Sequence, residues 1–185
     1  MITSRDMTVI EAIEKYKIMR TSTIAKLYFP SLLMAQKRLK IMYENNELNR
    51  MRDLIANEYC YYINKPKQWK HSLLLTDFYG TASQLMDIVS FENEVIVEDI
   101  RADGLMAYRN NGKGYISFIE VQISNEPLDI DKYKRLLYSG AYKERFKGVF
   151  PRIIAITNKK IPQTKDLMII QVKEDLSNAA DILRV

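Results

Sequence analysis

Cysteine and histidine are nearly absent: Cys60 and His71 are single occurrences in 185 residues. One thiol closes no internal disulfide and one imidazole builds no His-rich metal site, so a reducing compartment without structural zinc is the expectation. Long apolar runs are also missing. Leu73 to Leu75 and Leu167 to Ile170 are typical of those present, far short of the ~20 residues that span a bilayer. The N-terminus reaches Arg5 and Asp6 at once, with no apolar h-region for a secretory signal. A cytoplasmic protein with no membrane partner is therefore expected. With 6 Gly and 5 Pro, the chain is neither collagenous nor low-complexity. What remains, 47% hydrophobic and 28% charged residues, is the composition of a globular chain able to bury a core, long enough for one medium or two small domains.

The net charge of +5 is unevenly distributed. Between Arg20 and Arg52 stand Arg20, Lys26, Lys37, Arg38, Lys40, Arg50 and Arg52 against Glu44 and Glu47, whereas Asp87 to Asp103 holds six acidic residues against Arg101. A basic module followed by one with an acidic cluster is the pattern of a phosphate-binding domain joined to a different one. The polar, Pro-containing segment Asn64-Lys65-Pro66-Lys67-Gln68 marks the boundary, giving expected domains at residues 1–65 and 66–185.

In the first module, Met7, Ile10, Ala12, Ile13 and Tyr16 recur at helical spacing after Asp6, a plausible cap. A short second helix follows Thr21 or Ser22 and breaks at Phe29-Pro30. A third starts with Ser31 as N-cap and is expected to turn Leu32, Leu33, Ala35, Leu39, Met42 and Tyr43 inward, leaving Gln36, Lys37, Arg38 and Lys40 on the other face. Residues 47–52 and 58–63 alternate as two strands of a hairpin. Three helices, the last two joined by a short turn, and then a hairpin predict a winged helix-turn-helix whose third helix lies in the major groove of double-stranded DNA. Gln36, Lys37 and Arg38 are the candidates for base edges, Lys40 for a phosphate, and Arg50 and Arg52 for a neighbouring phosphate or the minor groove. The alternatives are a merely solvated basic face or a protein-docking module. Tyr59, Tyr61 and Tyr62 suit core packing better than stacking on bases.

The second module reads as a helix over Ser72 to Met86, weakened by Gly80, then strands at Val95 to Val97 and Ile100 to Tyr108. A turn at Asn110 to Gly114 and a returning strand from Tyr115 to Ile123 follow. A helix over Asp131 to Phe146 and apolar strands at Val149 to Thr157 and Leu167 to Val172 complete a mixed sheet flanked by helices. Residues i and i+2 of a strand share a face, so Glu120 and Gln122 point together, with Asp103 across the hairpin. Asp103 and Glu120, with Glu94 or Glu98 as a third acid, have the hard oxygen ligands to hold Mg²⁺ for phosphodiester hydrolysis. Exposed or turn-forming acids on paired strands are the plainer alternative.

That spacing resembles the PD-(D/E)XK nuclease fold: Ala102-Asp103 stands where its Pro-Asp stands, and Glu120-Val121-Gln122 where its acid-X-Lys stands. Gln122 replaces the Lys that positions the attacking water; Lys132 or Lys134 on the next helix is the candidate substitute. Most of the chain, from about residue 5 to 173, resembles the replication-relaxation family of bacterial plasmid, phage and conjugative-element proteins. The likeness rests on Arg5-Asp6, Thr23 to Leu27, His71, Arg101-Ala102-Asp103-Gly104, Phe118 to Val121, Lys132-Tyr133 and Phe150 to Ile154. It implies an α+β chain, a winged helix-turn-helix followed by a mixed α/β restriction-endonuclease-like domain, in a mobile-element protein of plasmid replication or DNA relaxation. Members usually carry an acid where Gln122 stands, so a degenerate, DNA-clamping or homodimer-forming nuclease-like domain is the expectation. An active Mg²⁺-dependent endonuclease or nicking enzyme is the first alternative and a protein-interaction adaptor the second. Plasmid replication or relaxation proteins are candidate partners. No cofactor is expected apart from Mg²⁺ in the nuclease case, where Asp103 and Glu120 bind the metal and Gln122 and Lys132 complete the catalytic set.

Overall fold

A computed structural model describes residues 2–162 and 164–183. The chain is mixed α+β and divides into two compact units, Met1–Gln84 and Leu85–Val185. Among the described residues no helix is long and apolar enough to cross a membrane.

The first unit runs α1 (Ser4–Tyr16), β1 (Ile18–Arg20), α2 (Thr21–Tyr28), α3 (Leu32–Glu44), β2 (Asn49–Asp53), β3 (Glu58–Tyr62) and α4 (Trp69–Leu85). Its three-stranded antiparallel sheet has the order β1-β3-β2. Helix α1 buries Val9, Ala12, Ile13 and Tyr16, the stripe expected of a 3.6-residue period. Its N-cap is Thr3, however, and Asp6 is the N3 partner of a capping box. Ser31 caps α3 by accepting from the Met34 N–H. On that helix only Ala35, Leu39 and Met42 are buried; Leu32, Leu33 and Tyr43, expected inward, are exposed. The first turn of α3 runs past the buried stripe. Cys60 is fully buried beside Ile18 and Leu73, and burial pushes its thiol up to about 12, which makes it inert packing.

Helix α4, expected to open the second domain, belongs to the first unit. Asp77, one of its residues, accepts from Thr23 Oγ1 at 2.5 Å and from Arg20 Nε at 2.6 Å, and Arg20 also reaches Asp53 at 2.7 Å. Thr76 donates to the Ile18 carbonyl at 3.2 Å. The unit boundary thus falls at residues 84/85, well after the Pro-containing segment at residues 64–68. That segment is only a surface turn between β3 and α4.

The second unit runs β4 (Asp87–Val97), β5 (Ile100–Asn110), β6 (Lys113–Val121), α5 (Asp131–Ser139), α6 (Tyr142–Arg145), β7 (Arg152–Ile156), β8 (Ile169–Val172) and α7 (Ala179–Leu183). The sheet order is β4-β5-β6-β7-β8: an antiparallel meander, then two parallel strands reached through α5 and α6. Asn111 and Gly112 both take positive φ at the β5–β6 turn, the requirement of a two-residue hairpin loop. The single helix expected over residues 131–146 is broken at Gly140, whose φ of 72° is a left-handed C-cap. Phe118 lies at the centre of an aromatic cluster with Tyr133, Phe146 and Phe150, which fastens the helices to the sheet.

Candidate nucleic-acid interface and carboxylate pair

In the first unit, α3 and the β2–β3 hairpin enclose a cleft of about 340 Å³ lined by Gln36, Lys40, Arg50, Arg52 and Tyr59. Register explains the convergence: Arg50 and Arg52 alternate on β2, opposite Tyr61 and Tyr59 of β3. The Arg50 guanidinium lies 4.1 Å from the ring centres of both Tyr43 and Tyr59. Such stacking orients a planar cation in advance of any ligand. Arg52 lies over Tyr59 at 5.4 Å and donates to Asn57. Lys40 makes only an exposed pair with Glu44 at 3.6 Å, which solvent screens. Among the described residues the one acid lining the cleft, Glu58, is engaged elsewhere: its carboxylate accepts from the Ser22 N–H at 2.9 Å and the Ser22 hydroxyl at 3.0 Å, capping α2, whose own N-cap residue, Arg20, makes no side-chain capping bond.

Four of the six expected DNA-contacting residues thus meet in one place, and two do not. Lys37 faces a different groove, lined by Arg5, Phe29, Met34 and Ile41. Arg38 is taken by the fully buried Asp6, with Nε bonded to Oδ1 at 2.7 Å and Nη2 to Oδ2. It ties α3 to α1 and does not line the cleft. The Arg38 guanidinium holds the Asp6 carboxyl well below the usual carboxylate range. Sequence reasoning missed Tyr43, assigned to the core, and the Tyr59 stacking partner. The signal for both is the tyrosine-arginine interleaving of residues 43–59.

In the second unit, the β5–β6 register pairs Gly104 with Ile119 and so sets Asp103 opposite Glu120. Asp103 Oδ2 accepts from the Val121 N–H at 2.7 Å, replacing a ladder bond with a side chain at the end of the pairing. Glu120 is buried and its Oε1 accepts from the Tyr133 hydroxyl and from Lys132 Nζ, the latter at 2.8 Å. Lys132 Nζ also donates to the Arg101 carbonyl at 2.9 Å. Burial, reinforced by the Asp103 charge, pushes the Glu120 carboxyl upward against the pull of Lys132 and Tyr133.

The remaining candidates lie elsewhere. Gln122 turns into its own loop, donating to Ser124 Oγ at 2.6 Å and the Glu126 carbonyl at 2.7 Å. Lys134 pairs with Asp131 at 3.6 Å. Glu94 is exposed and pairs with Arg101 at 3.1 Å, and Glu98 occupies the two-residue turn between β4 and β5. Among the described residues no group of three or more His, Cys, Asp or Glu is placed to hold a metal. The Mg²⁺ that a nuclease reading implies does not fit this set, because an ammonium already shares the Glu120 oxygen and the nearest carbonyl, and like charges there repel.

Comparison with known proteins yields no family model, no curated protein and no solved structure that matches the chain.

Proposed function

We propose that the protein binds double-stranded DNA through its first unit, acting as a winged helix-turn-helix, and that its second unit is a nuclease-like fold without catalytic turnover. The observation that carries this reading is the convergence of Gln36, Lys40, Arg50 and Arg52 on one cleft between a helix and a hairpin, with the lining acid Glu58 engaged in capping. A helix beside a basic hairpin suits a duplex, whose major groove admits an α-helix and whose phosphates accept from Arg and Lys. Further support comes from topology: helix, strand, two helices joined by residues 29–31, and a hairpin whose second strand lies between the first and β1. For the second unit, support comes from the meander-helix-strand order and from Asp103 facing Glu120 across β5 and β6, with Gln122 turned away. The resemblance to replication-relaxation proteins suggests a bacterial mobile element, plasmid or phage, and work in replication, relaxation or their control.

The test is titration of a labelled duplex with the full chain and with the Lys40→Ala/Arg50→Ala/Arg52→Ala variant at moderate salt. At least a tenfold loss of affinity is expected, with an unchanged far-UV spectrum. Equal binding by the two proteins refutes the cleft as the DNA contact. No affinity in either protein, even at low salt, points to a protein-docking module instead, and Mg²⁺-dependent cleavage lost in Asp103→Ala points to an endonuclease.

A further inference from the structure

Lys132 stands where two strands bring hard oxygens together. Asp129 Oδ1 accepts from the backbone N–H groups of Asp131 and Lys132, at 3.1 and 3.2 Å, and so fixes the first turn of α5 over the sheet. From that turn Tyr133 enters the core fully buried and Lys132 extends alongside its ring, with only 17% of the Lys132 side chain exposed. The ammonium meets a carboxylate oxygen of Glu120 at 2.8 Å and the carbonyl of Arg101 at 2.9 Å, with Asp103 on the strand facing Glu120. Two carboxylates and a backbone carbonyl are the donor types that small divalent cations select. Here a side chain of the same protein already supplies the positive charge that the buried Glu120, beside the half-buried Asp103, requires.

We infer that the Lys132 ammonium is a built-in cation of the Asp103 and Glu120 pair, that it excludes divalent ions from this position, and that removing it uncovers a latent divalent-cation site formed by Asp103, Glu120 and the Arg101 carbonyl. The inference rests on the non-catalytic reading of the second unit and is independent of DNA binding by the first. A lysine that instead served a metal-dependent reaction would have to coexist with the ion. The two roles therefore differ in whether the wild-type chain takes up metal at all.

The experiment is a titration of the full chain with Mn²⁺, read from the electron paramagnetic resonance of the free ion, with Mg²⁺ as competitor. Wild type and Lys132→Arg, which keeps the charge, are expected to show no saturable site up to millimolar Mn²⁺. Lys132→Met keeps the aliphatic stem against Tyr133 and is expected to gain one site at least tenfold tighter than any in wild type. That site should be displaced by Mg²⁺ and lost in Lys132→Met/Glu120→Gln. Should Lys132→Met be unfolded as purified, recovery of its far-UV dichroism on adding Mn²⁺ is expected, and failure to recover overturns the inference. It is equally overturned by a saturable Mn²⁺ site in wild type that Glu120→Gln abolishes, or by a folded Lys132→Met with no gain. DNA affinity, measured in parallel, moves with neither variant, so loss of the proposed function and loss of this inference are read separately.

Discussion

Lys37 and Arg38 are adjacent basic residues with unrelated work, and the difference is one of helical phase. Arg38 is three residues after Ala35 and four before Met42, so it flanks the buried stripe and reaches Asp6; Lys37 is a hundred degrees further round. That phase was legible in the sequence, but weighing the helix by its charge concealed it. Arg38→Ala strands a fully buried carboxylate and is expected to cost about 2–3 kcal/mol, since breaking such a pair leaves a charge uncompensated and the arginine itself is partly solvated. Chemical denaturation checks this. The pH dependence has a definite sign. Asp6 is ionised in the folded chain to lower pH than in the unfolded chain, so its contribution is complete above about pH 4 and is lost as the pH falls below that value. The stability gap between wild type and Asp6→Asn should therefore be widest at neutral pH and close progressively below pH 4; a gap that widens on acidification contradicts the assignment.

Elements were legible where a period ran long enough and illegible where partners decided. Helices α1 and α3, the β2–β3 hairpin and the β5–β6 hairpin carry their own patterns and turn residues, so local chemistry located them. Strand β1 has three residues and no period; it exists because β3 pairs with it, Ile18 with Tyr62 and Arg20 with Cys60. The allegiance of α4 was equally hidden, since the bonds of Asp77 to Arg20 and Thr23 span 57 and 54 residues of chain. Gly80, which in sequence only weakens a helix, is where α4 presses on α2: an added Cβ would stand 2.8 Å from Thr23 Cγ2. Thr23 has no easy retreat, being β-branched and buried with its hydroxyl bonded to Asp77. Gly80→Ala, which raises helix propensity elsewhere, is thus expected to destabilise by about 1–3 kcal/mol. Thr23→Ser should be able to relieve part of that loss in the double variant. Melting temperatures of the four proteins in this cycle measure the coupling; additive effects would place the strain elsewhere.

At the scale of the whole molecule, the sequence conveyed a basic module followed by one with a local acidic cluster, but drew their boundary at a proline rather than at a change of partners. It also gathered the right acids, Asp103 and Glu120, while leaving open what lay between them, because Lys132 arrives from the crossover helix and no strand period carries that information. The proposed division of labour between the units makes a quantitative prediction. If DNA contact is confined to the cleft of the first unit, the logarithm of affinity falls linearly with the logarithm of salt concentration, by about 0.9 for each phosphate neutralised on duplex DNA. Removing Lys40, Arg50 and Arg52 together should flatten that slope by about 2.7, if each meets one phosphate, while Lys37→Ala leaves it nearly unchanged. On that reading Asp103→Ala and Glu120→Gln, which alter charge only in the second unit, should leave both slope and affinity as in wild type. A slope that steepens or flattens in those acid variants would mean that the second unit touches the duplex as well, and the clamp would then span both units.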